Sequence, residues 1–139
     1  MNNTSPIKVE ALVNAPVEKV WTFWTDPKHI IKWTFASIDW HAPYAENDLR
    51  VEGKFKTKMA AKDGSVSFDF EGIYKLVEAH KRIAYGLGDG RQVEISFEEV
   101  DGKTLVVEVF DPEDQNPLDM QQIGWQAILD NFKKYAEEN

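Results

Sequence analysis

The chain has 139 residues, 42% of them hydrophobic and 12% aromatic, with no cysteine and a formal net charge of −8. That length and composition fit a single globular domain, residues 1–139, with an interior large enough to need no disulfide or metal staple. The missing cysteine excludes disulfides, thiol catalysis and cysteine-based metal sites. The acidic balance opposes binding to nucleic acid or anionic membrane, which needs a basic surface.

Residues 7–13, IKVEALV, alternate with Ile7, Val9, Ala11 and Val13 on one side and predict a half-buried strand. In NAPVEKVWTFWTDPKHIIKW, Pro16 near a start and Val17, Val20, Trp21 and Trp24 at helical spacing predict a short helix, which Thr25-Asp26-Pro27 interrupts. Asp26 as cap and Pro27 as first helical residue open a second short helix carrying Ile30, Ile31 and Trp33. Residues 34–47, TFASIDWHAPYAEN, read as a loop.

Residues 49–59 alternate Leu49, Val51, Gly53, Phe55, Thr57 and Met59 against a charged face that includes Lys54, Lys56 and Lys58. Asp63-Gly64 then predicts a hairpin into 66–77, with Val66, Phe68, Phe70, Gly72, Tyr74 and Leu76 on a common face. A shorter strand carries Ile83, Tyr85 and Leu87. Asp89-Gly90 and Asp101-Gly102 turn the chain into strands 91–100 and 104–110, completing an antiparallel meander.

The last stretch, NPLDMQQIGWQAILDNFKKYAEEN, predicts one long amphipathic helix with Asn116 as cap, Pro117 in the first position and Asp119 in the first turn. Met120, Ile123, Ala127, Ile128, Asn131 and Tyr135 form one line, with Trp125, Leu129, Phe132 and Ala136 beside it. Gly124 costs about 1 kcal/mol against Ala in a helix interior. Its place on this face implies either a close backbone approach or space left open.

The order of elements, β-αα-β(5–6)-α, resembles the START and Bet v 1-like superfamily, an α+β helix-grip fold in which a curved antiparallel sheet wraps a long C-terminal helix. More narrowly, APVEKVWTFWTDPKHIIKW, AENDLRVEGKF, FDFEGIYKLVEAHKRIAYGLGDGR and FDPEDQNPLDMQQIGWQAILDNFKKYAE are similar to bacterial proteins related to the C-terminal domain of the activator of heat-shock protein 90 ATPase. The resemblance spans nearly the whole chain. It implies an elongated cavity between sheet and final helix that takes an apolar or amphipathic small molecule. The eukaryotic activator carries a further domain ahead of this module, whereas here the first strand begins by about residue 7, so a co-chaperone role is not expected.

Within that frame the candidate lining is Met120, Ile123 and Gly124 on the helix, with Phe55, Met59, Phe68, Phe70, Tyr74, Tyr85, Ile95 and Phe97 on strands. The same aromatic set would serve equally as plain core. Arg91 shares parity with Val93, Ile95 and Phe97, which turns it inward. In 104–110 either Leu105, Val107 and Val109 or Val106 and Phe110 can face in, and the resemblance favours the second pair, which brings Glu108 inward as the partner of Arg91. That pair reads as an anchor for a ligand head group, as a structural ion pair, or as an Arg at the strand mouth in water. Trp24, Trp33, Trp40 and His41 could line the entrance or simply pack a lid, and His41 beside Asp39 also admits a general-base reading.

No catalytic residue is assigned. His29, His41 and His80 lack metal-binding spacing, there is no GxSxG elbow, and Gly86–Gly90 precedes a strand where a phosphate loop would open a helix. Neither a metal nor a cofactor is expected. The expected protein is a cytoplasmic monomer or weak dimer that binds a small molecule, with no leader or membrane-spanning stretch in its sequence. An aromatase/cyclase-like enzyme using the same cavity, and a protein-interaction module that activates a chaperone ATPase, are the two alternatives.

Overall fold

Each of the three Asp-Gly pairs reverses the chain, with Gly64, Gly90 and Gly102 at φ of +80°, +93° and +80°, a region that suits glycine. The computed structural model describes residues 5–139. Its elements are β1 (Ile7–Val13), α1 (Val17–Thr25), α2 (Pro27–Trp33), β2 (Trp40–Asn47), β3 (Lys54–Ala61), β4 (Ser67–Glu78), β5 (Arg82–Leu87), β6 (Gln92–Val100), β7 (Lys103–Phe110) and α3 (Leu118–Glu138). All seven strands join one antiparallel sheet in the order β1-β7-β6-β5-β4-β3-β2. The sheet curls around α3, which is the helix-grip architecture.

Inward residues follow the period of two. Ile7, Val9, Ala11 and Val13 of β1 and Thr104, Val106, Glu108 and Phe110 of β7 are buried, so the parity left open in β7 resolves to the face that carries Glu108. The remaining face of β7 looks outward, with Val109 exposed. Helix α3 lies along the free edge of β1. Gln122 Nε2 donates to the Lys8 carbonyl at 3.1 Å and Gln126 Nε2 to the Glu10 carbonyl at 3.0 Å, covering acceptors that an edge strand would otherwise offer to another chain. Near its end, Glu137 Oε2 accepts from the Asn14 backbone N–H at 2.8 Å. No helix among the described residues is long and apolar enough to cross a membrane.

Four local expectations need correction. Residues 40–47 are the edge strand β2 and not a loop; a register shift between His41 and Tyr44 accommodates Pro43, which only an edge or a bulge tolerates. The alternation in 49–59 belongs to a strand only from Lys54. Before it, residues 48–53 form a tight turn with Glu52 at φ 72°, and an added Cβ on Gly53 would meet the Asp48 carbonyl at 2.0 Å. In β4 a bulge between Tyr74 and Leu76 moves the inward position to Val77, opposite Ile83. At the start of α3 the cap position is Pro117. Asn116 instead takes its hydrogen bonds from Glu113, whose carboxylate accepts from the Asn116 N–H at 2.7 Å and from its amide at 3.1 Å.

On the outer face Lys56 stands opposite Glu71 and Lys58 opposite Asp69, but neither pair closes to an ion pair among the described residues. They are solvated charges with little energetic weight.

Candidate ligand-binding cavity

Between α3 and strands β3, β4, β5 and β7 lies a cavity of about 360 Å³. Its walls are aromatic because three strands, β3, β4 and β5, turn rings inward. Phe55 meets Phe70, Tyr74 and Tyr85 at ring-centroid distances of 5.8, 5.3 and 4.6 Å. Trp125 of α3 closes the opposite side, edge-on to Phe70 at 6.0 Å and stacked on Phe110 at 3.8 Å. Trp24, Trp33 and Ile30 line the end nearer α1 and α2, while the exposed Phe68 and Asn116 mark where the cavity meets solvent.

The polar groups differ in how they are held. Tyr74 donates to Asn47 Oδ1 at 2.5 Å, and Asn47 Nδ2 donates to the Thr25 carbonyl at 2.7 Å, tying β4 through β2 to α1. Gln121, buried on α3, donates from Nε2 to the carbonyls of Glu113 and Asn116 at 3.0 and 2.8 Å and accepts the Glu113 N–H at 2.9 Å. That amide fixes the segment leading into the helix.

Glu108 is different. It is 5% exposed, its cross-strand neighbours are Val9 and Ile95, and among the described residues no hydrogen bond or ion pair reaches its carboxyl, whose oxygens stay open to the cavity. Burial alone pushes its pKa from 4.5 up to about 8. The group therefore carries a proton at neutral pH and presents an O–H donor to the hollow. Tyr85 lies close by: burial first, then the Glu108 charge, push its phenol well above the ordinary range, while Arg91 acts in the opposite direction. The Tyr85 hydroxyl likewise has no protein partner among the described residues and stays open to the hollow.

The expected Arg91–Glu108 pair does not form. Arg91 precedes the first residue of β6, so strand parity does not govern it. Its Nε donates to Asp89 Oδ2 at 2.7 Å and its backbone N–H to Asp89 Oδ1 at 3.1 Å within the turn. It still lines the cavity, with its charge already answered.

Ten of the expected residues come together around this hollow: Trp24, Trp33, Phe55, Met59, Phe68, Phe70, Tyr74, Tyr85, Arg91 and Glu108. Seven do not. Ile95 and Phe97 are solid core, Phe97 lying against Trp21 and Trp24. His41 is exposed on the edge strand, and Trp40 packs on Phe68 at 6.0 Å without entering the lining. Met120 and Ile123 are 59% and 68% exposed, because α3 is turned by about one residue from the expected face and presents Gln121, Trp125 and Ile128 to the hollow. Gly124 adjoins open space, since a Cβ there would meet nothing within 4 Å, but it lies outside the lining.

Sequence reasoning missed the polar lining of Thr34, Glu46, Asn47, Thr57, Glu113, Asn116 and Gln121. Thr57 was legible from its parity in β3, and Gln121 from its spacing to Trp125 and Ile128. Asn47 was hidden in a supposed loop.

The model of the family described as Activator of Hsp90 ATPase homolog 1-like protein matches residues 14–137. The chain belongs to this family. Its fold is that of an AHSA1-like protein, and its similarity to solved structures points the same way. An AHSA1-like protein from Aeromonas hydrophila is 44% identical with a TM-score of 0.87, covering 95% of this chain and 93% of that one. A protein from Cytophaga hutchinsonii is 54% identical with a TM-score of 0.83, covering 96% and 93%. A protein from Nitrosomonas europaea, at 18% identity and a TM-score of 0.83 over 99% and 97%, shares the fold. None of the curated proteins matches. In this AHSA1-like chain, no group of three or more His, Asp or Glu among the described residues could hold a metal ion.

Proposed function

We propose that the chain reversibly binds a small, largely apolar molecule carrying one polar group, in the cavity between the sheet and α3. The observation that carries this reading is a hollow of about 360 Å³, walled by aromatic rings, into which a buried carboxyl projects with no partner among the described residues. Burial of ligand surface supplies roughly 25 cal/mol per Å² of apolar area, and the few convergent polar groups orient the ligand.

Trp24, Trp33 and Trp125 line the hollow and report on it directly. Titration with the neutral fluorophore N-phenyl-1-naphthylamine is expected to give saturable one-to-one binding with quenching of tryptophan emission. Thr57→Phe, which fills the cavity from β3, should abolish binding while leaving the circular dichroism spectrum unchanged. Unaltered binding by a folded Thr57→Phe protein would place the probe elsewhere and sink the reading.

A second reading, an enzyme that uses the same cavity, is favoured by Glu108 itself. A carboxyl with its pKa pushed to about 8 beside the Tyr85 hydroxyl is a pair able to give or take a proton. Turnover of a bound compound that Glu108→Gln abolishes without loss of binding would select it.

A further inference from the structure

The charged lining is unbalanced. Glu46, Glu108 and Glu113 line the cavity against one cation, Arg91, whose guanidinium is already held by Asp89 at 2.7 Å. Two of the three carboxylates are also engaged: Glu46 Oε2 accepts the Tyr44 hydroxyl at 2.6 Å, and both Glu113 oxygens accept from Asn116. Among the described residues Glu108 alone of the three is left without a partner, although it is the most deeply buried. A buried carboxylate is stable when a cation or several donors meet it, and the sheet provides neither. What the sheet does provide is ring faces. Tyr85 stands within the electrostatic reach of Glu108, with Phe55 at 4.6 Å and Tyr74 at 6.2 Å from its ring centroid. Aromatic faces next to a carboxylate form a recognition surface for an ammonium group, which both attract.

We propose that the cavity selects for amphiphilic amines, the ammonium head resting against Glu108 among the rings of Tyr85, Tyr74 and Phe55 and the apolar tail filling the hollow under Trp125. This rests on the binding reading above and specifies its ligand class. The other titratable and charged groups in the cavity are Tyr85 from β5, Tyr74 from β4, Glu46 from β2, Arg91 from the β5–β6 turn and Glu113 ahead of α3. Helix α3 contributes Gln121 and Trp125, which do not titrate, and β1 and β6 place Val9 and Ile95 beside Glu108. Docking an ammonium supplies the missing partner, so the Glu108 proton leaves to solvent as the head group arrives. An anionic amphiphile would meet three carboxyls and an Arg already neutralised.

Three probes with one tail and different heads test this: octyltrimethylammonium, 1-octanol and octanoate, titrated calorimetrically at pH 7 in two buffers of different ionisation enthalpy. The ammonium is expected to bind about ten-fold or more tighter than the alcohol, with octanoate weakest. Its binding should release about one proton, since a group with pKa about 8 is still protonated at pH 7. Octyltrimethylammonium does not titrate, so its affinity should rise about ten-fold from pH 7 to pH 9 as Glu108 ionises in the free protein. Glu108→Gln should remove the preference for the ammonium over the alcohol and abolish the proton release, while octanoate gains relative to the ammonium. If the alcohol binds as tightly as the ammonium, or no proton is released, the amine inference is overturned and the cavity reading stands. Tightest binding by octanoate would overturn it in favour of an anionic ligand at Arg91. If none of the three binds, both readings fall.

Discussion

The two ends of α3 are packed by opposite rules. Over its C-terminal half, Leu129, Phe132 and Ala136 are fully buried, and Phe132 stands edge-on to Trp24 and Trp33 at 4.8 Å from each. Around them Trp33 Nε1 donates to the Phe23 carbonyl, Asn131 Nδ2 donates to the Trp33 carbonyl, and His29 Nδ1 meets the Tyr135 hydroxyl at 2.6 Å. Over its N-terminal half, Leu118, Met120 and Ile123 are exposed, and the inward face looks into a hollow. One helix is thus anchored at one end and left partly unfilled at the other. A close-packed interior normally leaves no such void, so the space has to be maintained by stiff walls, here the rings of β3, β4 and β5.

The sharpest way to break this comparison is to open a void at the solid end. Phe132→Ala removes a ring enclosed on all sides and is expected to cost about 3–5 kcal/mol. The change is read as a shift in urea unfolding followed by tryptophan emission. Ile128→Ala, four residues earlier and already facing the hollow, creates little new void and should cost roughly half as much or less. Equal losses at the two positions would mean that the halves do not differ in packing.

A comparable effect, spread over about three pH units, should follow pH, and between pH 5 and pH 8 the hollow end supplies it through Glu108. In the unfolded chain Glu108 has its ordinary pKa of 4.5; in the folded protein burial raises it to about 8. Between those values the folded state holds a proton that the unfolded state has lost. Stability therefore falls as pH rises through this window, by up to about 1.4 kcal/mol per pH unit, and the protein is most stable with respect to this group below pH 4.5. Glu108→Gln should remove that slope, so the variant gains on the parent chain steadily from pH 5 to pH 8. Parallel stability profiles for the two proteins would show that Glu108 ionises normally and is not shielded as the geometry implies.

The same contrast explains what could be read from the chain. The meander was legible because alternation and Asp-Gly turns are local signals, and the solid end of α3 because Leu129, Phe132 and Ala136 repeat at helical spacing. The hollow end was read less well. Met120 and Ile123 are apolar yet exposed, and Gln121 is polar yet buried, so hydrophobic periodicity turned the helix by about one residue there. Burial of Gln121 depends on three hydrogen bonds to a segment eight and five residues back, which no periodicity reveals. Arg91 failed for a related reason: the Asp89-Gly90 turn captured its guanidinium before the strand began. Cavities gather residues whose polarity is answered by tertiary contacts or by a ligand, and pattern reading loses its warrant there.

The mildest expected effect also bears most directly on how open the hollow end is. Gly124 sits mid-helix at a cost of about 1 kcal/mol relative to alanine. A glycine is retained in such a place at no loss when something presses on the backbone, as at Gly72, where an added Cβ would meet the Gly86 carbonyl at 2.7 Å and the Phe55 ring at 2.9 Å. At Gly124 a Cβ would meet nothing within 4 Å. Gly124→Ala is therefore expected to raise stability by up to about 1 kcal/mol, whereas Gly72→Ala should lower it, both read as shifts in the urea midpoint. Destabilisation by Gly124→Ala would show that in solution the N-terminal half of α3 closes down on the sheet, using the absent side chain to do so. The void would then belong to one of two arrangements of the helix, and the halves would differ in mobility as well as in packing.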